Sequence, residues 1–257
     1  MKTKLIEIIK EASELFKEGY YGTKKTSFKG KKDLVTQYDV AVETFLKEKF
    51  TEEFRDFNII AEESDNKDIE FNNSIIIDPI DGTTNFVNGL VHCAISVGVY
   101  KNKKPYMGIV YNPILEQFYF AEVGKGAYLN DEKISVNQDH ELMTSLMATG
   151  FPYTGATNRE DLDFVIKNLE TILPRCQDIR RLGSAAIDIC MVAAGNYGGF
   201  YEINLKPWDV SAGIIILTEA GGKVTNIDGE AFDMFEDKCI VASNRKIHGE
   251  ILECLEA

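Results

Sequence analysis

Three consecutive isoleucines run into an aspartate at residues 75–78, and a second aspartate follows at 81. The whole stretch reads IIIDPIDGTTNF through residue 86. A β-branched run of this kind favours a buried strand, so the rest of the chain must supply a core around it. With 257 residues, 44% of them hydrophobic and 27% charged, there is enough chain to do so. The end of the strand is a further constraint. Asp78 follows the apolar run directly, and a turn starting at Pro79 is expected to bring Asp81 back beside it. Pro-x-Asp-Gly is a good turn sequence by itself, and an aspartate can close a strand by bonding its own backbone. Two carboxylates held together at a buried strand end, however, repel each other unless a proton or cation sits between them. Hard oxygen donors of this type suit Mg²⁺ or Mn²⁺. The Ile80 carbonyl is expected to point into the same space, with Thr83 placed to hold a water.

Two more acidic stretches extend the pattern. NIIAEESD (58–65) is a second apolar strand ending on acids, Glu62 and Glu63; alone it reads as a solvated acidic loop. KPWDVSAGIIILTEAGG (206–222) puts Asp209 at the start of an apolar helix, where a lone aspartate serves as a cap or favours the helix dipole. Together the three stretches point to a shared cation.

Elsewhere the pattern is of alternating elements. Two amphipathic helices open the chain, one with Leu5, Ile8, Ile9, Ala12, Leu15 and Phe16 on a single face, the other over about 37–54 with Val42, Phe45, Leu46 and Phe50 inward. SIIIDP, HCAISVGVY, YMGIVYNP and EQFYFAEV read as strands, with short polar connections after Tyr100 and Tyr111 that suit antiparallel neighbours, and YLNDEKISV as one more hairpin. After about residue 140, LDFVIKNLETIL, SAAIDICMVAAG and VSAGIIILTEAGG read as helices, and GFYEI, KVTNI and KCIVASN as strands. The expected organisation is an α+β part over 1–140 and an α/β part over 141–257 within one unit.

The net charge of −13 repels nucleic acid and anionic membranes, so a phosphate ligand requires a local positive charge, which a bound metal would supply. No apolar run approaches the ~20 residues needed to span a bilayer, and the acid-broken N-terminus does not read as a signal peptide. The five cysteines (Cys93, Cys176, Cys190, Cys239, Cys254) form no C-x-x-C pair and suggest reduced thiols in the cytoplasm. The three histidines are too scattered to build a metal site.

DPIDGTTNF and WDVSAGIIILTEAGG resemble the two signature motifs of the inositol monophosphatase family, one group among the lithium-sensitive, metal-dependent phosphatases. DLVTQYD, AEES, ATGFPY and RRLGSAA match in family order. The resemblance implies a layered αβαβα sandwich, a homodimer, and two or three Mg²⁺ ions, with Mn²⁺ as a substitute. It implies that Glu62, Asp78 and the Ile80 carbonyl bind a first metal, that Asp78, Asp81 and Asp209 bind a second, and that Glu62 helps a third through water. Thr83 would orient the attacking water and Asp39 would bond Thr83. The Gly82 and Thr83 amides would hold phosphate oxygens, and Gly183, Ser184, Ala185 and Glu202 would face the alcohol, with Asp209 at the same pocket. The implied reaction is in-line hydrolysis with no covalent phosphoenzyme. The leading substrate is myo-inositol 1-phosphate or a similar polyol monophosphate, because an ionised Glu202 would repel a second phosphate. Fructose-1,6-bisphosphatase, nucleotide 3′-phosphatase and a regulatory partner of the transcription machinery are the alternatives. Arg180 and Arg181 are left between a second phosphate site, a dimer contact and surface salt bridges.

Overall fold

The computed structural model describes residues 1–28, 34–67, 70–153 and 158–256; Asp33, which opens the DLVTQYD match, lies outside them. In chain order the first helix, α1 (Lys2–Tyr21), is followed by the short paired strands β1 (Thr26–Phe28) and β2 (Leu34–Thr36) and by helix α2 (Gln37–Glu53). A seven-stranded sheet then forms from β3 (Asn58–Ala61), β4 (Ser74–Asp81), β5 (Ala94–Lys101), β6 (Lys104–Asn112), β7 (Gln117–Glu122), β8 (Ala127–Leu129) and β9 (Glu132–Ile134), in sequence order. Helix α3 (Thr83–Asn88) interrupts it after β4.

The remaining elements are β10 (Leu146–Thr149), α4 (Arg159–Ile172), β11 (Asp178–Arg180), α5 (Ala185–Ala193), β12 (Gly199–Ile203), α6 (Pro207–Glu219), β13 (Lys223–Thr225), β14 (Cys239–Ser243) and α7 (His248–Glu256). Their strands make a five-stranded mixed sheet in the order β11-β10-β12-β14-β13.

Three apolar clusters stack these elements into the expected αβαβα layers. Leu5, Ile9, Phe16, Leu46 and Phe50 of α1 and α2 pack on Ile75, Ile77, Val97 and Ile109 of the large sheet. Helices α5 and α6 fill the middle, touching Ile76 and Val110 on one side and Ala148, Phe200 and Ile240 on the other. Ile172 of α4 and Ile251 and Leu255 of α7 cover the outer face of the small sheet with Tyr201 and Val241. This sandwiching is why alternate residues of β4 are buried on both faces, and why its sequence reads as an unbroken apolar run.

The position of α6 is set closely. Tyr100 Oη of β5 donates to the Ser211 carbonyl at 3.0 Å, and Ser96 Oγ donates to the Trp208 carbonyl at 3.3 Å. A Cβ on Gly98 would lie 2.5 Å from Ser211 Oγ, so only glycine lets the helix approach this near. Asp209 is therefore held where the large sheet places it.

Short elements gave no pattern to read. β10 and β11 are four and three residues long, too short for an alternation to register, and α3 begins in Thr-Thr-Asn. Among the described residues no helix is long and apolar enough to cross a membrane. All five cysteines are free and buried.

His248, 2% exposed, ties α7 to the small sheet: its Nδ1 lies 2.7 Å from Ser243 Oγ and its Nε2 lies 2.8 Å from Thr225 Oγ1. Burial, with Lys223 and Arg245 nearby, pushes its pKa down to about 4. A folded-state pKa below the unfolded value of about 6.5 means the native state resists protonation. Stability from this group is complete above about pH 6.5 and is lost progressively as pH falls towards 4. Urea midpoints at pH 7.5 and 5 should drop further in the wild type than in His248→Asn. Equal drops would show that His248 carries no part of the acid sensitivity.

Candidate metal centre and active site

Strand β4 does not turn back at Pro79. Asp78 pairs with Ser96 and Asp81 with Ala94, so Pro79 and Ile80 together face the single residue Ile95. Residues three apart on a regular strand point to opposite faces. The extra residue is a β-bulge, and it returns Asp81 to the side of Asp78. The expected turn is thus corrected to a bulge inside a strand that runs on to Asp81. Asp78 Oδ1 accepts the Ile80 N–H at 3.0 Å and stiffens the bulge.

Gly82 then reverses the chain with φ +87°, and a Cβ there would come within 2.8 Å of the His92 carbonyl. It caps α3, whose first residue is Thr83. Thr83 Oγ1 lies 3.0 Å from Asp39 Oδ1 and 3.1 Å from the Ile80 carbonyl, and donates its single proton to one or the other. The second oxygen of Asp39 accepts from Thr36 N at 2.8 Å, while Thr36 Oγ1 caps α2 from the other side, a reciprocal capping box. One buried carboxylate therefore starts α2 and orients Thr83. With Asp39 as acceptor, the lone pairs of Thr83 are left to accept from water.

Asp81 sits on the N-terminal end of α5. Its Oδ2 accepts from Ala186 N at 3.0 Å and, in a short bond, from Ser184 Oγ. Asp209 lies in the first turn of α6 and accepts from Lys206 N at 2.6 Å. Both helix ends favour a negative charge. Asp78, Asp81 and Asp209 each contribute one carboxylate oxygen to a group lying within 4.8 Å of one another. Glu62 follows the end of β3, with its N–H bonded to the Ile77 carbonyl, and its carboxyl meets Asp78.

Burial is the largest cause raising all three aspartates. For Asp78 and Asp209 the neighbouring acids push further, well above the usual carboxylate range; the helix-end bonds hold Asp81 at about 7. The donor set fits a hard cation: several buried oxygens, mutually repelling and incompletely ionised until a positive charge joins them. These groups open into a cleft of about 310 Å³. Its other wall is Phe151, Pro152 and Tyr153 with Leu205 and Trp208. Glu62, Ile80, Gly82 and Thr83 line the acidic side with the three aspartates, so the structure brings together every metal and water-orienting residue expected from the sequence.

The whole chain, residues 1–257, matches the family model described as the inositol monophosphatase family. The chain belongs to the inositol monophosphatase family. Inositol monophosphatase 3 of Solanum lycopersicum is 36% identical over 257 residues, covering 97% of this chain and 94% of that one. A protein of Aquifex aeolicus named fructose-1,6-bisphosphatase/inositol-1-monophosphatase is 35% identical, covering 97% and 94%. The crystal structure of extragenic suppressor protein suhB from Bartonella henselae superposes with a TM-score of 0.91 at 32% identity, over 99% of this chain and 98% of that chain. Inositol monophosphatase family members are metal-dependent phosphatases, and the buried acidic cluster suits that chemistry.

Within this family framework the alcohol side differs from the sequence reading in two places. Gly183 lines the cleft, but Ser184 and Ala185 are buried at 2% and 7% exposure, and the Ser184 hydroxyl is engaged by Asp81. Ser184 therefore positions Asp81 and does not face the alcohol, because the start of α5 turns its side chain towards β4. Glu202 lies with its carboxyl against Gly150, next to Phe151 of the cleft. Burial, with the charge of Asp188, pushes Glu202 up to about 8. At neutral pH it is largely a neutral acid, not the carboxylate expected. Arg180 pairs with exposed Asp178 at 2.6 Å, the surface salt bridge considered from sequence. The Arg181 guanidinium lies 5.3 Å from the Phe151 ring at the cleft edge.

In the sequence Asp188 falls within the apolar helical stretch SAAIDICMVAAG. It is 1% exposed, with Oδ1 unpartnered. An acid in the middle of SAAIDICMVAAG was the available signal.

Losing one hydrogen bond to a charged group costs roughly 1.5–3 kcal/mol, or about 10- to 150-fold in rate. Ser184→Ala should lower phosphatase kcat/KM within that range and by the same factor for a polyol phosphate and a small aryl phosphate. A loss confined to the polyol phosphate would return Ser184 to the alcohol side.

Proposed function

We propose that this protein is a Mg²⁺-dependent hydrolase of polyol monophosphates, with myo-inositol 1-phosphate or a close analogue as substrate. The observation that carries the reading is the set of three aspartate oxygens within 4.8 Å of one another at one end of a cleft, from buried Asp78 and Asp81 and half-buried Asp209, with Glu62 and Thr83 beside them. Asp78, Asp81, Asp209, Glu62 and the Ile80 carbonyl are the residues that would hold the ions. Bound there, the cations would supply Lewis-acid stabilisation of phosphoryl and leaving-group charge.

The chain's own residues do the remaining work. Thr83, donating to Asp39, accepts a hydrogen bond from the attacking water and fixes the direction of that water's lone pair, while the proton the water loses goes on to the leaving alkoxide. The Gly82 and Thr83 amides, free of intrahelical partners at the start of α3, take phosphate oxygens. Water attacks phosphorus, the ester P–O bond breaks, and the leaving alkoxide takes up a proton, giving polyol and inorganic phosphate. Phe151 and Trp208 offer the polyol an apolar wall, and Glu202 would meet ring hydroxyls. We assign the protein to the cytoplasm, in keeping with five buried free thiols, and infer a homodimer from the family resemblance; sedimentation at micromolar concentration checks the dimer.

A bisphosphate substrate is the second reading. It is favoured by Arg181 at the cleft edge and by a Glu202 that is largely neutral at pH 7. The two readings separate by pH. As Glu202 ionises through about pH 8, its charge opposes a second phosphate. The ratio of kcat/KM for inositol 1-phosphate over fructose 1,6-bisphosphate should rise between pH 7 and 9 in the wild type and stay flat in Glu202→Gln. A wild type that prefers the bisphosphate throughout would establish the second reading.

Chelation with EDTA should abolish turnover and Mg²⁺ should restore it. Asp81→Asn should lose most activity while staying folded, since it removes a ligand charge and little volume. Full activity in metal-free buffer would sink the mechanism. Lithium should inhibit relative to matched NaCl; an unchanged rate would remove that family trait while leaving the metal chemistry standing.

A further inference from the structure

We infer that Glu43 is a positioning residue that holds the Glu62 loop in a metal-ready geometry. This inference rests on the metal-dependent reading of the cleft. Glu43 lies on α2 one turn beyond Asp39 and is 4% exposed, a charged residue on a face that otherwise buries Val42, Leu46 and Phe50. Its Oε2 accepts the backbone N–H of Glu63 at 2.7 Å. Its Oε1 accepts the Ser64 hydroxyl, whose oxygen in turn accepts from Lys47 Nζ. Asn66 closes the loop from below. Its Oδ1 accepts from Ala61 N at 3.2 Å, and its Nδ2 donates to the Ala61 carbonyl at 2.8 Å.

Glu62 is thereby fixed on both sides. Its own N–H is held by the Ile77 carbonyl of β4, and the next N–H along the chain is held by Glu43. The need for such an anchor follows from charge. Glu62 faces Asp78, Asp81 and Asp209, which repel it while no cation is bound. A loop held only by neutral turns would swing outward to relieve that repulsion. Two oxygens of one buried carboxyl, holding the Glu63 N–H and the Ser64 hydroxyl at once, tie that loop to α2. Helix α2 thus presents two buried acids at i and i+4: Asp39 orients Thr83, and Glu43 orients the segment carrying Glu62. The two site loops, more than twenty residues apart in sequence, are referenced to one rigid helix face.

The test is direct Mn²⁺ binding, followed by electron paramagnetic resonance or calorimetry, on full-length wild type, Glu43→Ala and Glu43→Gln. Removing partners that orient a ligand typically weakens metal affinity about 10- to 100-fold. Glu43→Ala should raise the Mn²⁺ dissociation constant within that range. Glu43→Gln, which keeps one acceptor for the Glu63 N–H, should fall between it and the wild type. The metal-free melting temperature of Glu43→Gln should change little, and turnover should approach the wild-type kcat at saturating metal. If either folded variant binds Mn²⁺ as tightly as the wild type, whatever its melting temperature, Glu43 only supports the fold and the inference is wrong. If the wild type itself binds no Mn²⁺, the metal reading of the cleft falls, and this inference with it.

Discussion

Repulsion among four carboxylates, two buried and two half-buried, is the constraint around which this molecule is arranged. Asp78, Asp81, Asp209 and Glu62 converge in a place where each charge is costly and each neighbour makes it costlier. Left alone, such a cluster would favour expansion of the site or protonation of its members. The fold opposes the first of these with geometry. Asp78 and Asp81 are locked by a bulge in a central strand, Asp81 is bonded by the end of α5, and Asp209 is fixed in the first turn of α6. The helices that meet the site are the ones packed between the two sheets, so loosening the cluster would mean unpacking the middle layer.

This links packing to chemistry. The close approach of α6 to β5, permitted by Gly98 and fixed by Tyr100 and Ser96, is a packing feature with a consequence at Asp209. On the other face of the large sheet, α2 is both a core helix and the support for Thr83 and the Glu62 loop. Metal-dependent phosphate hydrolysis would then need little from flexible parts: a bound cation would neutralise carboxylates the fold has already gathered, and such electrostatic preorganisation is a large contribution in many enzymes.

What the sequence made legible was local. The acids of IIIDPIDGTTNF, the strand ending at Glu62 and the helix opening at Asp209 are contiguous patterns, and each element formed where its periodicity predicts. The alternation of those patterns suggested an α+β part followed by an α/β part, and the layered αβαβα sandwich was what the family resemblance implied. What escaped was set by pairing between distant segments. The bulge after Asp78 exists only against β5, so the sequence suggested a turn. Ser184 bonds Asp81 across 103 residues, and its place in GSAA gave no sign of that. The rise of Glu202 to about 8 comes from burial and then from the charge of Asp188, neither of which a strand-end glutamate announces. Glu43 was the exception that could have been read, since it falls on the buried face of a helix whose periodicity was already evident.

If Asp78, Asp81, Asp209 and Glu62 form a cation site, crystals of the wild type soaked in Mn²⁺ should show anomalous scattering there. Density is expected among the four carboxylates, absent from a matched Asp81→Asn crystal or reduced to one position. Density confined to surface acids, with none in the cleft at saturating Mn²⁺, would contradict it.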